Sequence, residues 1–359
     1  MTGLRVFHLP SHLTYVSKLD CTYFTPVPSP SGTALTADAL LGLDSWGFFD
    51  VLHVHTVELA SRAALVSVLG RVRREGKGLV FTAHDLCPNI ETDLNAFEDK
   101  TALLIREARR VVTLTEAAAA ILASRYDRRP VVIPHGYAVA PESVRRSTGH
   151  RGLLAFGALR PNRRVTVMVA GWRQLPVKRP ALHVVLRSIG AADRQRYARE
   201  LTALAAAAAA EPLLSVETVD RLLSMDELAQ RCQHARTLIL PYRSITHSGQ
   251  LELARDMGLR AVAPDVATVR AQLTESRNDH PCVWFPPSAI DDPSAFAVHL
   301  SRACSLPEPG KIQVDRAEEH RELLRRYGVE YELSGAAGWK NDHESVREEG
   351  LPHRHQADR

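Results

Sequence analysis

From Leu238 to Pro264 the chain reads LILPYRSITHSGQLELARDMGLRAVAP: an apolar strand, a polar turn, a short helix stopped by Gly258, and a second apolar strand. The turn Thr246-His247-Ser248-Gly249 brings small and hydroxyl-bearing residues to the start of the helix. Unpaired backbone N–H groups and the positive end of the helix dipole attract anions there. Glu252 projects from the first turn of the same helix, placed to accept hydrogen bonds from a sugar or ribose hydroxyl. A phosphate cradle beside a carboxylate predicts a nucleotide-sugar pocket.

Outward from this stretch, strand-like and helix-like runs alternate almost throughout, which predicts an α/β protein with parallel sheets covered by helices on both faces. Strands are expected at Leu4 to Leu9, Val51 to His55, Leu79 to Ala83, Arg110 to Leu114 and Val131 to Pro134, with helices at Leu59 to Glu75, Lys100 to Ala108 and Glu116 to Arg125. The pattern restarts after a polar stretch, with strands at Leu153 to Phe156, Leu182 to Arg187, Leu213 to Val216, Thr237 to Leu240, Ala261 to Ala263 and Val283 to Phe285. The alanine-rich run Asp193 to Ala210 is a strong local helix former. The expected organisation is a Rossmann-like domain over residues 1–140, a linker at 141–151, a second Rossmann-like domain over 152–310, a helix over 311–330 and a disordered tail over 331–359. Ligands of such sheets sit beyond the carboxyl ends of the strands, so the cleft between the domains is the natural site.

At 359 residues the chain exceeds the usual limit for one core. Hydrophobic residues at 45% and charged residues at 24% describe a globular protein. The net charge of +4 comes from interspersed Arg, Asp and Glu rather than basic blocks, which argues against nucleic acid as a partner. Five cysteines, at 21, 87, 232, 282 and 304, are odd in number and lack zinc-site spacing. Reduced thiols in a cytoplasm are the expectation. No apolar run approaches the roughly 18 residues that span a bilayer. The basic run Arg71, Arg73, Arg74, Lys77 could rest on an anionic membrane surface, but a solvated helix end is the commoner meaning.

Six segments in order, VLHVHT, VFTAHD, VVTLTEAAAAIL, VVIPHGY, LLAFGALRPNRR and the opening stretch, resemble the retaining nucleotide-sugar glycosyltransferases of family 4 between about Val51 and Ala267. The wording of the last is similar to a little-characterised bacterial subgroup. The resemblance implies the GT-B fold, two Rossmann-like domains facing across a cleft, with the acceptor on the first and a nucleotide diphosphate-sugar on the second. It also implies donor binding without a metal, in keeping with the lack of an Asp-x-Asp motif, and no cofactor. Where the family places an Arg and a Lys on the diphosphate, this chain has Ala158 and Arg163, with Arg160 able to compensate. The family's second glutamate falls at Leu253, one residue after Glu252, and Ile245 stands near the first, leaving that contact to His247. Leu9-Pro10-Ser11-His12-Leu13 replaces the usual glycine pair.

His84 ends a strand at the sheet's carboxyl edge, and the resemblance implies that it faces the reacting sugar; it is the expected catalytic residue. Asp85 reads as a cap or orienting partner. Arg160, Arg163, Arg243, His247, Ser248, Gly249 and Glu252 are the expected donor-binding set, and His55 and His135 are expected on the acceptor side. His53 and His55, two apart on a strand, share a face, but no third ligand is evident and no metal is expected. Asp256 lies on the same helical face as Glu252, a pairing of like charges. The expected activity is transfer of a sugar to an acceptor hydroxyl. The rival is a catalytically weakened relative serving as a binding or partner subunit of another glycosyltransferase. No Gly-x-Gly-x-x-Gly follows any strand, which disfavours a nicotinamide dehydrogenase.

Overall fold

In the computed structural model, which describes residues 3–11, 15–19, 22–32, 35–144, 152–176, 178–187, 190–275, 280–307 and 315–335, the strands sort into two sheets of six. The first sheet holds β1 (Arg5–Leu9), β2 (Thr25–Pro26), β3 (Val51–Val54), β4 (Gly78–Thr82), β5 (Arg110–Thr113) and β6 (Val131–Val132), in the order β2-β1-β3-β4-β5-β6. The second holds β7 (Gly152–Gly157), β8 (Leu182–Leu186), β9 (Leu214–Thr218), β10 (Ala235–Ile239), β11 (Arg260–Pro264) and β12 (Cys282–Phe285), in the order β12-β11-β10-β7-β8-β9. All neighbouring strands run parallel. This is the GT-B arrangement of two doubly wound units.

The strands are short apolar runs because helices cover both faces of each sheet, so most side chains on the inner strands are buried, while the edge strands β2, β6 and β9 are partly exposed. In the second domain Leu153, Ala155, Leu182 and Val184 pack on one face while Leu154, Phe156 and Val185 pack on the other. Strand order reverses between β1 and β3 in the first sheet and between β7 and β10 in the second. Loops leaving those strands splay apart there and open a crevice at the carboxyl edge.

Several elements differ from the sequence expectation. The helix expected at Lys100 begins six positions earlier, at Leu94, because Asp93 caps it by accepting the Ala96 amide. The run expected as one helix from Asp193 is two, Ala191–Arg196 and Ala198–Ala210, broken at Tyr197.

The last helix, Arg316–Gly335, is the largest departure. It leaves the second domain and lies across the first sheet, packing Leu323, Leu324, Tyr327 and Tyr331 on Val6, Val51, Val80 and Val112. Residues 331–335, expected as the start of a tail, are its final turn, with Tyr331 fully buried. The remainder of that tail, and residues 145–151 of the expected linker, lie outside the described residues. Among the described residues no helix is long and apolar enough to cross a membrane.

Candidate functional site

The wall formed by the second domain begins at the β7 turn. Gly157 has φ +138°, a left-handed conformation that glycine alone adopts without strain, and a Cβ there would lie 2.2 Å from Arg163 Nη1. The missing side chain lets Arg163 fold back under the turn. Its Nη1 donates to the Ala158 carbonyl at 3.0 Å and its Nη2 to the Phe156 carbonyl at 2.7 Å, with the guanidinium over the Tyr242 ring. Arg163, expected on the diphosphate, is thus a buried brace for the loop rather than a free cation.

Arg160 and Arg187, both half-buried, lie near Arg163. Arg187 follows β8, its backbone amide bonded to the Gly157 carbonyl at 3.2 Å, and it lies within electrostatic reach of Arg160 and Arg163. Burial and these like charges push the Arg187 guanidinium below its usual range. Its Nε has no hydrogen-bond partner among the described residues, and neither Arg160 nor Arg187 forms an ion pair there. Such a cluster attracts an anion. The sequence reading missed Arg187 because it ends an otherwise ordinary apolar strand.

The helix from the opening stretch runs Gly249–Met257. Ser248 caps it, its hydroxyl taking the Leu251 amide at 3.3 Å, while its own backbone amide donates to Gln272 Oε1 at 3.0 Å. The Gly249 and Gln250 amides meet no protein acceptor among the described residues, and Gly249 is exposed. Gln250 bonds the Phe156 carbonyl at 2.9 Å, bringing the helix start against the Gly157 turn.

Glu252 points the other way. Its carboxylate accepts from Gln272 Nε2 at 2.7 Å, Arg255 Nη1 at 2.7 Å and Arg316 Nη2 at 2.6 Å. Burial alone would raise its pKa, but Arg316 and Arg255 outweigh that and hold it at about 2. A carboxylate so enclosed is the centre of a buried ion network, not an open acceptor for ribose hydroxyls. Asp256 joins the network through Arg316 Nε at 2.7 Å, which resolves the like-charge pairing, and also takes the Ala138 and Val139 amides at 2.6 and 3.0 Å. Arg243, expected beside the donor, is an exposed rim residue paired with Asp291 at 3.2 Å.

The opposite wall comes from the first domain. His84 follows β4, half-buried, its ring edge-on to Tyr15 at 4.6 Å. Burial, with the charges of His247 and Lys18, pushes its imidazole down to about 3. Asp85 beside it is pushed up to about 6 by burial. His135 stands where a Cβ on Gly249 would meet its Nε2 at 3.3 Å, so it faces the helix start rather than a separate acceptor pocket. Lys18, which no motif announced, donates to His135 Nδ1 at 2.9 Å and to the Tyr137 carbonyl at 3.0 Å, and burial pulls its ammonium down to about 7.

His55 is 1% exposed and cannot line an open acceptor surface. It lies under His84, with His8 and His53 beside it. A third imidazole therefore exists near the His53–His55 pair: nitrogen atoms of His8, His53 and His55 lie within 4.8 Å of one another. Both His53 nitrogens are taken, at 2.7 Å each, by Tyr331 Oη and Thr82 Oγ1.

The two walls touch. His247 Nδ1–H donates to the His84 carbonyl at 2.7 Å, Thr246 Oγ1 accepts the Leu86 amide at 2.8 Å, and Asn162 Nδ2 donates to Asn89 Oδ1 at 2.9 Å. His247 therefore bridges the domains and does not stand free for a donor. Away from the cleft, Arg71 holds the Leu43 and Asp44 carbonyls and lies over Trp46, Arg73 pairs with Glu107, and Lys77 holds the Phe49 carbonyl. Arg71, Arg73 and Lys77 of the basic run are thus engaged within the domain, and Arg74 is exposed.

Comparison with known proteins places this geometry. Residues 22–140 match the family model Glycosyltransferase Family 4. The chain is similar in structure to an α,α-trehalose 6-phosphate synthase from Burkholderia multivorans (15% identity, TM-score 0.54, covering 79% of this chain and 70% of that one). It is also similar to the sucrose-phosphate synthase of Thermosynechococcus elongatus (13% identity, TM-score 0.55, 87% and 78%). A trehalose-6-phosphate structure from E. coli, bound with UDP-2-fluoro glucose, matches at 14% identity and TM-score 0.53, over 83% and 73%. No curated protein matches the sequence. The family match lies within the first domain, and the structural likeness shows the GT-B fold.

Proposed function

We propose, from a Family 4 first domain on a GT-B fold, that this chain is a glycosyltransferase that moves a sugar from a nucleoside diphosphate-sugar to an acceptor hydroxyl, with retention and without a metal ion. The observation that carries the reading is the pair of arginines, Arg160 and Arg187, near the strand-order reversal of the second sheet, neither of them in an ion pair among the described residues, with Asp85 of the opposite wall within electrostatic reach of Arg160. Their charge, with the Gly249 and Gln250 amides at the helix start, neutralises a diphosphate and stabilises it as a leaving group, the task that a divalent cation performs elsewhere. His84 faces the sugar from the other wall. His135, held by Lys18, turns its Nε2 towards Gly249 and adds a polar contact to the same space. Donor entry requires the His247–His84, Thr246–Leu86 and Asn162–Asn89 bonds to part, and closure afterwards excludes water from the reactive donor.

Calorimetric titration with UDP, GDP and ADP, followed by assay of the matching sugar nucleotides for hydrolysis and transfer in the presence of a chelator, tests the reading. One nucleotide should bind, and Arg160→Gln with Arg187→Gln should abolish that binding while leaving the fold intact. Equal affinity in the double variant, or no affinity for any nucleotide diphosphate, would remove the donor site.

A further inference from the structure

Three imidazoles form a ladder from the interior of the first domain to the cleft. β1 and β3 pair in parallel with His8 beside His53, and His55, two positions on, shares that face. His8 Nδ1 lies 2.8 Å from His55 Nε2, and His55 Nδ1 lies 3.1 Å from His84 Nε2. His53 is locked out of the chain by its bonds to Tyr331 and Thr82. Burial pushes His8 and His84 down to about 3 and His55 well below its ordinary value, so near neutral pH each ring carries a single proton.

Proton counting then fixes the direction of the ladder. Three neutral rings hold three protons, and two of these occupy the two hydrogen bonds between rings. The third sits at one end, on His8 Nε2 or on His84 Nδ1. The ends are unequal. His8 Nε2 is fully enclosed with no partner among the described residues, whereas His84 is half-buried at the cleft and its Nδ1 has no protein partner there. An enclosed N–H without an acceptor is rarer in proteins than an enclosed lone pair without a donor. The third proton therefore belongs on His84, and every bond in the ladder donates outward.

We infer that His8 and His55 are positioning residues that hold His84 as an Nδ1–H hydrogen-bond donor, directed at an oxygen of the bound sugar nucleotide. The identity of the target rests on the donor-site reading above; the tautomer does not. His84 so held cannot act as a base through Nδ1. It contributes by donating to an oxygen as the diphosphate departs.

Nitrogen-15 labelling of histidine, with long-range proton–nitrogen correlation near neutral pH, reads the tautomer directly, and the signals missing in His84→Gln assign it. Wild-type His84 should be protonated on Nδ1. His8→Leu should convert it to a mixture with the Nε2-protonated form, and should lower kcat about tenfold while KM stays unchanged, the size of effect that an orienting partner exerts. Should His8→Leu not fold, His8→Phe, which likewise offers no hydrogen-bonding atom to His55, gives the same reading. A wild-type His84 protonated on Nε2, or a tautomer indifferent to His8, would overturn the inference. So would uptake of one zinc equivalent by the wild type and none by His8→Leu, because a metal would claim the nitrogens that the ladder needs. The expected tautomers without affinity for any sugar nucleotide would sustain the ladder and overturn its target alone.

Discussion

Arg316, the first residue of the last helix, donates from Nη2 to Glu252 Oε2 at 2.6 Å, so the end of the chain neutralises a carboxylate buried behind the cleft. Sixty-four positions separate the two residues. Replacing Arg316 by Leu leaves Glu252 and Asp256 buried, close together and short of their shared cation. Removal of one partner from such a network costs about 3 to 5 kcal/mol. Urea denaturation of Arg316→Leu should show a loss of that size, and Glu252→Gln in the same background should recover part of it. A wild-type midpoint in the single variant would mean that the network adds nothing.

At Gly157, substitution by Ala combines a strained φ of +138° with a Cβ 2.2 Å from the Arg163 guanidinium. The backbone strain alone costs about 1 to 3 kcal/mol. Thermal unfolding should register the loss, and nucleotide affinity should fall with it, since the turn that positions Arg187 shifts.

Arg163 and Arg187, both near β7, should separate cleanly. Arg163→Met deletes two buried hydrogen bonds to carbonyls and should lower stability by about 3 to 6 kcal/mol, since each lost charged bond is worth about 1.5 to 3; the Phe156 carbonyl keeps Gln250 as a donor. Arg187→Gln should leave the melting temperature unchanged and weaken nucleotide diphosphate binding by about 1.5 to 3 kcal/mol. The reverse pattern, with Arg163 governing affinity, would restore it to the donor site.

Acid should destabilise the protein early. His8 and His84 are held at about 3, and His247 and His320 at about 4, in each case chiefly by burial. The unfolded chain takes up these protons below about pH 6.5, while the folded protein refuses them. Stability therefore falls as pH drops from about 6.5 towards 4, by up to about 1.4 kcal/mol per pH unit for each histidine. Glu252, held at about 2, adds a second loss as pH falls from its unfolded value near 4.5. Denaturation midpoints at pH 7.5, 6.0 and 5.0 should decline steadily; a flat profile would mean that these rings are solvated.

Much of this architecture is legible in the sequence. Short apolar runs bounded by turn residues mark the strands, because a parallel sheet covered on both faces admits little else. The helix at Gly249 and the placement of His84 at a strand end follow from the same local grammar. What each side chain faces is a different matter. Whether Arg163 turns in or out depends on the missing Cβ of Gly157, and whether Glu252 is open depends on Arg316 arriving from the far end of the chain. His8 becomes the neighbour of His55 only through strand pairing. These relations are tertiary, and no local periodicity encodes them.

The return of the last helix to the first sheet also has a bearing on how the molecule is made. Val6, Val51, Val80 and Val112 are capped by Leu323, Tyr327 and Tyr331, residues that leave the ribosome more than two hundred positions after the strands they cover. A nascent first half thus carries a bare greasy surface throughout synthesis of the second, and shortening the gene before the codon for Arg316 would yield two orphaned halves instead of a smaller working protein.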